Sequence, residues 1–270
     1  MTSKPKIGKL KVKNRFFLAP MEEVNDVAFR LLCKKAGAGL TYTGLIHPLS
    51  KQEFSLKDKP GFQIFCNSTK GVAEFIKKHD KKISLWDFNL GCPVPRAREN
   101  KYGAYLTNLK TIEEILKIMR QSTKKPVTVK IRKSEIAFDI LKIAEKYCDA
   151  IAIHSRTKEQ GYSGEPDLDF ALKIKKATKL PVIYSGNVNE NNAKEFLEKF
   201  DFLMIGRASI GHPEVFATLT KNKKFKRSIQ DYLKLAIKYN VPFKQIKFQT
   251  MNFTKGLENS RKMRKEMCKN

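Results

Sequence analysis

Nowhere in the 270 residues does an apolar window approach the roughly 18 residues that a membrane-spanning helix requires. The N-terminal stretch MTSKPKIGKL also lacks the apolar core of a signal peptide, so a cytoplasmic protein with no membrane partner is expected. Cysteine is sparse: Cys33, Cys66, Cys92, Cys148 and Cys268 are odd in number, widely spaced and free of C-x-x-C pairs. That pattern excludes a disulfide framework and indicates no metal site, and reduced thiols are expected. Acidic residues are scarce as well, 27 against 54 Lys and Arg, for a net charge of +27. Such an excess goes far beyond what solubility requires. Heat adaptation adds glutamate alongside lysine and keeps net charge small, so a polyanionic partner, a nucleic acid, is the better explanation.

What is present is enough apolar residue, 41%, for one large core with a small appendage. The charge is uneven. Residues 217–270 hold 15 Lys and Arg against 3 Asp and Glu, in a fifth of the chain. Two units are therefore expected: a catalytic domain over 1–216 and a basic helical, nucleic-acid-binding domain over 217–270. The number of subunits is not set by these features, and a monomer is compatible with them.

Short β-rich runs alternate with longer amphipathic segments through the first unit, as in repeated βα units around a parallel sheet. The runs fall at 16–19, 40–43, 62–65, 85–89, 127–131, 150–154, 182–185 and 202–205, with helical patterns at 26–36, 72–79, 112–120, 136–147, 168–177 and 190–200. Eight such units predict a closed (β/α)8 barrel. The competing doubly wound sheet needs only about six strands, and no G-x-G-x-x-G follows an early run.

A barrel of this kind carries its chemistry at the C-terminal ends of its strands. Polar residues ending the runs form a coherent set there: Pro20 and Met21, Gln63, Asn89 before Cys92, Lys130 and Arg132, His154 and Arg156, Ser185, Gly186 and Asn187, and Gly206 and Arg207. Each has a plainer reading, a thiol in a tight turn, a core histidine or ordinary turn glycines. Lys130 and Arg132 are harder to dismiss, because a closed barrel has no edge strand to expose them and inward charges are costly without a partner. Gly186 and Gly206 fit an anion cradle after the last two strands, with Arg207 as counter-charge.

Several collinear segments resemble the flavin-dependent tRNA-dihydrouridine synthases. Leu18-Ala19-Pro20-Met21 with Val24, Asp26, Phe29 and Arg30 is similar to that family's opening loop and helix. Asn89-Leu90-Gly91-Cys92-Pro93 resembles its most diagnostic motif, followed by Gly103, Ala104 and Leu106. The run ending Lys130-Ile131-Arg132, then His154-Ser155-Arg156-Thr157 with Gln160 to Gly164, and finally Gly206-Arg207-Ala208 with Gly211 and Pro213, continue the match in order. Glu22, Asn25, His47-Pro48 and Asn187 depart from the family's usual residues.

The resemblance implies FMN at the barrel mouth, NADPH as reductant and reduction of a uracil C5=C6 bond in tRNA. It implies Cys92 as the acid that protonates C5, and Lys130 as the cation beside the flavin's pyrimidine edge. Pro20, Met21 and Glu22 would lie along the ring, Gln63 would hydrogen-bond it and His154 would adjoin the cofactor. Ser185, Gly186, Asn187, Gly206 and Arg207 would hold the phosphate. Asn89, Arg132 and Arg156 would contact the uracil or its phosphate, and the segments 253–256 and 257–267 would end a helical domain that grips tRNA. Two alternatives stay open at this point: a small-molecule enzyme of dihydroorotate dehydrogenase type, and an RNA-binding barrel without catalysis.

Overall fold

In the computed structural model, residues 5–255 are described, so segment 257–267, Gly256 and Cys268 lie outside them. The chain opens with a small antiparallel hairpin, β1 (Lys6–Ile7) and β2 (Leu10–Lys11), turned at Gly8. Seven parallel strands follow: β3 (Phe16–Leu18), β4 (Gly61–Ile64), β5 (Leu85–Leu90), β6 (Val127–Arg132), β7 (Ala150–His154), β8 (Val182–Ser185) and β9 (Phe202–Ile205). Their spatial order is β3-β9-β8-β7-β6-β5-β4, which places the first and last members on either side of a single gap. Segment 40–46 fills that gap through isolated bridges, Phe17 with Leu40, Tyr42 with Gly61 and Ile46 with Ile64. The sheet closes there, and the architecture is the expected (β/α)8 barrel.

One predicted strand, 40–43, is thus reduced to bridges. Backbone bonds remain on both sides, as from Leu18 N to the Leu40 carbonyl and from Thr43 N to the Gly61 carbonyl. Side chains nonetheless interrupt the ladder: Asn25 Nδ2 donates to the carbonyls of Ala19 and Tyr42, each at 2.8 Å, and Thr43 Oγ1 accepts from the Gln63 amide at 3.0 Å. These contacts join the opening loop to the barrel wall without a regular strand.

Helices α1 (Val27–Ala36), α2 (Val72–His79), α3 (Pro95–Glu99), α4 (Leu109–Ser122), α5 (Ala137–Tyr147), α6 (Leu168–Lys176) and α7 (Ala193–Lys199) lie between strands. Their starts are written in the sequence. Asp26, Asn108 and Asp167 each cap a first turn by accepting an amide three residues on. Among them, α3 is absent from the amphipathic pattern, being a single short turn started by Pro95.

Two cores result from the alternation along each strand. Val127, Val129, Ile131, Ile151 and Ile153 point outward into the layer shared with the helices. Phe17, Leu85, Ala150, Ala152, Ile183 and Phe202 point inward, and Ile7 and Val12 of the hairpin region plug the barrel from its N-terminal end. The interior therefore begins apolar. Toward the C-terminal mouth the inward positions become Gln63, Asp87, Asn89, Thr128, Lys130, Arg132, His154 and Ser185, all buried.

Past the barrel come α8 (Glu214–Thr220), α9 (Ile229–Lys238) and α10 (Phe243–Phe253). The expected boundary at 216 falls inside α8, whose Val215, Phe216 and Ala217 are buried together with residues of α1. A break in regular structure occurs only after Thr220. The helical unit is itself docked on the barrel: Tyr232, Ala236 and Phe253 are buried, and Tyr232 donates to Asp26 at 3.2 Å. Among the described residues no helix is long and apolar enough to cross a membrane.

Candidate active site

At the C-terminal mouth of the barrel lies a cavity of about 840 Å³, a size typical of small-molecule sites. Every residue expected at the site lines it except Gln63. Gln63 is fully buried, and register explains why: it pairs with Asp87, one layer below the Asn89 and Lys130 pair that forms the cavity floor.

Cys92 sits on the loop after β5, 9% exposed, with its amide and that of Gly91 donating to Asn89 Oδ1 at 2.9 and 3.2 Å. Gly103, at φ +59, packs so closely that a Cβ there would lie 2.8 Å from the Cys92 carbonyl. The thiol is therefore held from both sides. Burial pushes it above the ordinary thiol range and the Glu22 carboxylate adds to this, while the Val94 amide, Lys130 and Arg132 pull the other way. The net effect is a protonated thiol at neutral pH.

Lys130 rises from the floor, 9% exposed, and no described residue forms a hydrogen bond with its ammonium. Burial, with Arg132 nearby, lowers it to about 8, against the pull of Asp87 and Cys92. An almost bare cation in a buried site is costly unless a ligand supplies negative charge.

The other cations are tied to the protein. Arg132 donates through Nε to the Gly91 carbonyl at 2.9 Å and through one terminal nitrogen to Thr157 and Gly161 at 2.9 and 2.7 Å. Arg156 donates to the Ser163 and Gly164 carbonyls and to Asn187 Oδ1. Asn89 likewise spends both ends of its amide internally, its Nδ2 donating to Gln63 Oε1 at 2.8 Å. All three line the cavity, but the contacts observed for them brace loops. The donors of Arg132 and Arg156 face carbonyls left open by the turns after β5 and β7.

His154 is pushed down to about 2 by burial and by four surrounding cations, Lys130 and Arg132 foremost, so it is neutral. Its Nε2 lies 3.1 Å from an Arg156 nitrogen. A guanidinium only donates, so Nε2 accepts and the ring proton sits on Nδ1.

On the far side, Gly186 (φ +145) and Asn187 (φ +51) turn the chain after β8. A Cβ on Gly186 would meet Pro166 at 2.9 Å, so only glycine fits. Asn187 Oδ1 accepts from Arg207 at 2.7 Å and from Arg156 at 3.1 Å, while Nδ2 donates to Glu165 at 2.9 Å. The backbone amides of Asn187, Gly206 and Arg207 donate to no described residue. A Cβ on Gly206 would have only Ala19 and Met21 near it, at 3.7 and 3.8 Å, and would project into the cavity. Open amides beside Arg207 make an anion cradle.

FMN suits this donor set: a cradle for its phosphate, Pro20 and Met21 along one wall, and Lys130 at the floor for an anionic ring edge. Tyr162 also lines the cavity, with the Arg132 and Arg207 guanidinium groups 5.7 and 5.5 Å from its ring. It was not singled out in the sequence, although it sits within the segment from Gln160 to Gly164. Asp87 was missed too, although it alternates inward with Asn89.

The fold and site define an α/β barrel with a cationic, glycine-cradled mouth and one buried thiol. An old yellow enzyme homologue from Zymomonas mobilis superposes with a TM-score of 0.61 at 11% identity, covering 87% of this chain and 97% of that one. Morphinone reductase gives 0.60 at 11%, covering 85% and 93%. At such identities the likeness concerns the fold alone. In sequence, residues 17–270 match the family model described as dihydrouridine synthase (Dus), and the chain belongs to that family. It is 31% identical to tRNA-dihydrouridine synthase B of Vibrio parahaemolyticus, covering 78% of this chain and 72% of that protein. To a probable tRNA-dihydrouridine synthase of Aquifex aeolicus it is 29% identical, covering 93% and 90%.

Proposed function

We propose that this chain is a tRNA-dihydrouridine synthase that binds FMN in the barrel mouth, uses NADPH as reductant and saturates the C5=C6 bond of uridine in tRNA. The observation that carries the reading is the pairing of a protonated, loop-held Cys92 with Lys130, whose ammonium bonds to no described residue, on the floor of one cavity. FMN, when bound, supplies the hydride for C6. The chain's own residues supply the rest.

Lys130 places a positive charge at the floor, where charge preorganised before the reaction costs no rearrangement during it. Cys92 gives its proton to C5, and burial keeps that proton on sulfur until it is needed. Gly186, Asn187, Gly206 and Arg207 hold the phosphate, and Ser185 lies beside them. Asn89, Arg132 and Arg156 keep the loops bearing these groups in register. A base must leave the tRNA stack to reach the thiol, so contacts with the basic surface offset an unstacking cost of a few kcal/mol.

Cys92→Ala is expected to keep FMN binding and NADPH-dependent bleaching but to lose dihydrouridine formation by roughly 100-fold or more, the scale of a general acid's contribution. Mass spectrometry of treated tRNA measures it. Turnover comparable to the parent protein would refute the role of the thiol, and a protein that takes up no FMN would refute the cofactor.

A further inference from the structure

Directly beneath the cavity floor, Asp87 is fully buried in the barrel interior, where its charge favours the Lys130 ammonium. Its Oδ2 accepts from Gln63 Nε2 at 2.6 Å and its Oδ1 from Thr128 Oγ1 at 2.5 Å. Gln63 Oε1 in turn accepts from Asn89 Nδ2 at 2.8 Å, and Asn89 Oδ1 accepts from the Cys92 amide at 2.9 Å. One continuous chain of hydrogen bonds thus runs from the barrel core to the backbone of the thiol.

The direction of that chain follows from its two ends. Burial raises the Asp87 carboxyl only to about 6, so at neutral pH it is ionised and can only accept. The Cys92 and Gly91 amides at the other end can only donate. Two carboxamides lie between, and a single orientation of each satisfies both ends. Leu85, inward on the same strand, fills the preceding position with no polar group at all. A carboxylate is a costly alternative there, and what it adds is direction.

We propose that Asp87 is a positioning residue for the reaction, anchoring the chain through Gln63 and Asn89 that holds the Cys92 loop against the cavity. The inference rests on the reading of Cys92 as the proton donor.

Asp87→Asn preserves volume but removes the charge and leaves one accepting oxygen where the carboxylate has two, so the bond anchoring Gln63 loses its charge assistance and competes with that of Thr128. The test uses the FMN-loaded full chain. Alkylation by iodoacetamide, resolved by site through peptide mass spectrometry, is expected to rise roughly tenfold at Cys92, the scale of one charge-assisted hydrogen bond. Cys33, Cys66 and Cys148, all buried, should stay within about twofold, since local loosening leaves the cooperative core closed. Turnover should fall by a similar factor with the KM for tRNA unchanged. Gln63→Leu breaks the same chain at its next link, and the double variant should be no more impaired than the worse single one.

Unchanged Cys92 labelling would overturn the proposal, as would equal rises at all four thiols or single effects that multiply in the double variant. Should Asp87→Asn fail to fold, Gln63→Leu carries the same labelling test. Labelling reads the loop whether or not the thiol gives up a proton, so failure of the acid assignment shows separately, as retained turnover in Cys92→Ala.

Discussion

Lys130 sets the electrical character of the cavity. It shares the barrel interior with Arg132 on its own strand, Asp87 and Cys92 from β5 and its loop, and the neutral His154 on β7. Lowered from 10.5 to about 8, its ammonium is charged below that pH and loses its proton above it. Cys92 is shifted the opposite way and stays protonated over the same range. The rate of uridine reduction is therefore expected to be level through neutrality and to fall as pH rises past about 8. Lys130→Met should remove that alkaline limb and slow the reaction roughly 100-fold, as for loss of one preorganised charge. A pH series of single-turnover rates on both proteins checks this, and an identical limb in the variant would assign it to another group. These inward positions were legible because polar residues alternate with apolar ones in the runs ending at Asn89 and Arg132. The depth of Gln63 was not, since register between strands is set by pairing and leaves no mark on one strand's pattern.

At the scale of elements, the barrel mouth is stiffened by side chains that reach across loops. Arg132 ties the Cys92 loop to the turn after β7 through three carbonyls, from a position only 3% exposed. Lysine has neither the reach nor the planar fork to make all three bonds. Arg132→Lys is expected to cost about 2–4 kcal/mol in urea unfolding, because it strands buried carbonyls. It should also speed amide exchange over residues 157–164, and unchanged exchange there would show that the turn holds itself. Helices with side-chain caps and clear amphipathic faces were legible from the sequence, and α1 begins where Asp26 predicts. The segment at 40–46 was not, because the Asn25 and Thr43 side chains interrupt the ladder, and no periodicity reports such an interruption.

For the molecule as a whole, eight βα units were countable from the sequence, whereas the docking of the basic helices was not. Tyr232, Ala236, Val241 and Phe253 are apolar positions that any helical pair would show, and only the structure reveals that the barrel shares their burial. This changes how tRNA binding is best tested. Removing the helices would uncover core residues and confound affinity with unfolding, so charge must be altered instead. The turn 239–242 lines a second cavity of about 460 Å³ that shares Met21, Glu22 and Leu45 with the catalytic one, so α9 lies close to the mouth. Lys226, Lys234 and Lys238 are exposed, the last two four residues apart on α9. Changing all three to Gln leaves the apolar packing intact. Each phosphate that is no longer neutralised should lower the slope of log affinity against log salt by about 0.7–0.9, so the triple variant should be shallower by about two units of slope. Fluorescence anisotropy with labelled tRNA over a salt series measures it, with the melting temperature as a control for folding. A slope equal to that of the parent protein, with folding unchanged, would move the binding surface off α9 and onto the barrel face, leaving the helical unit as a brace for the mouth.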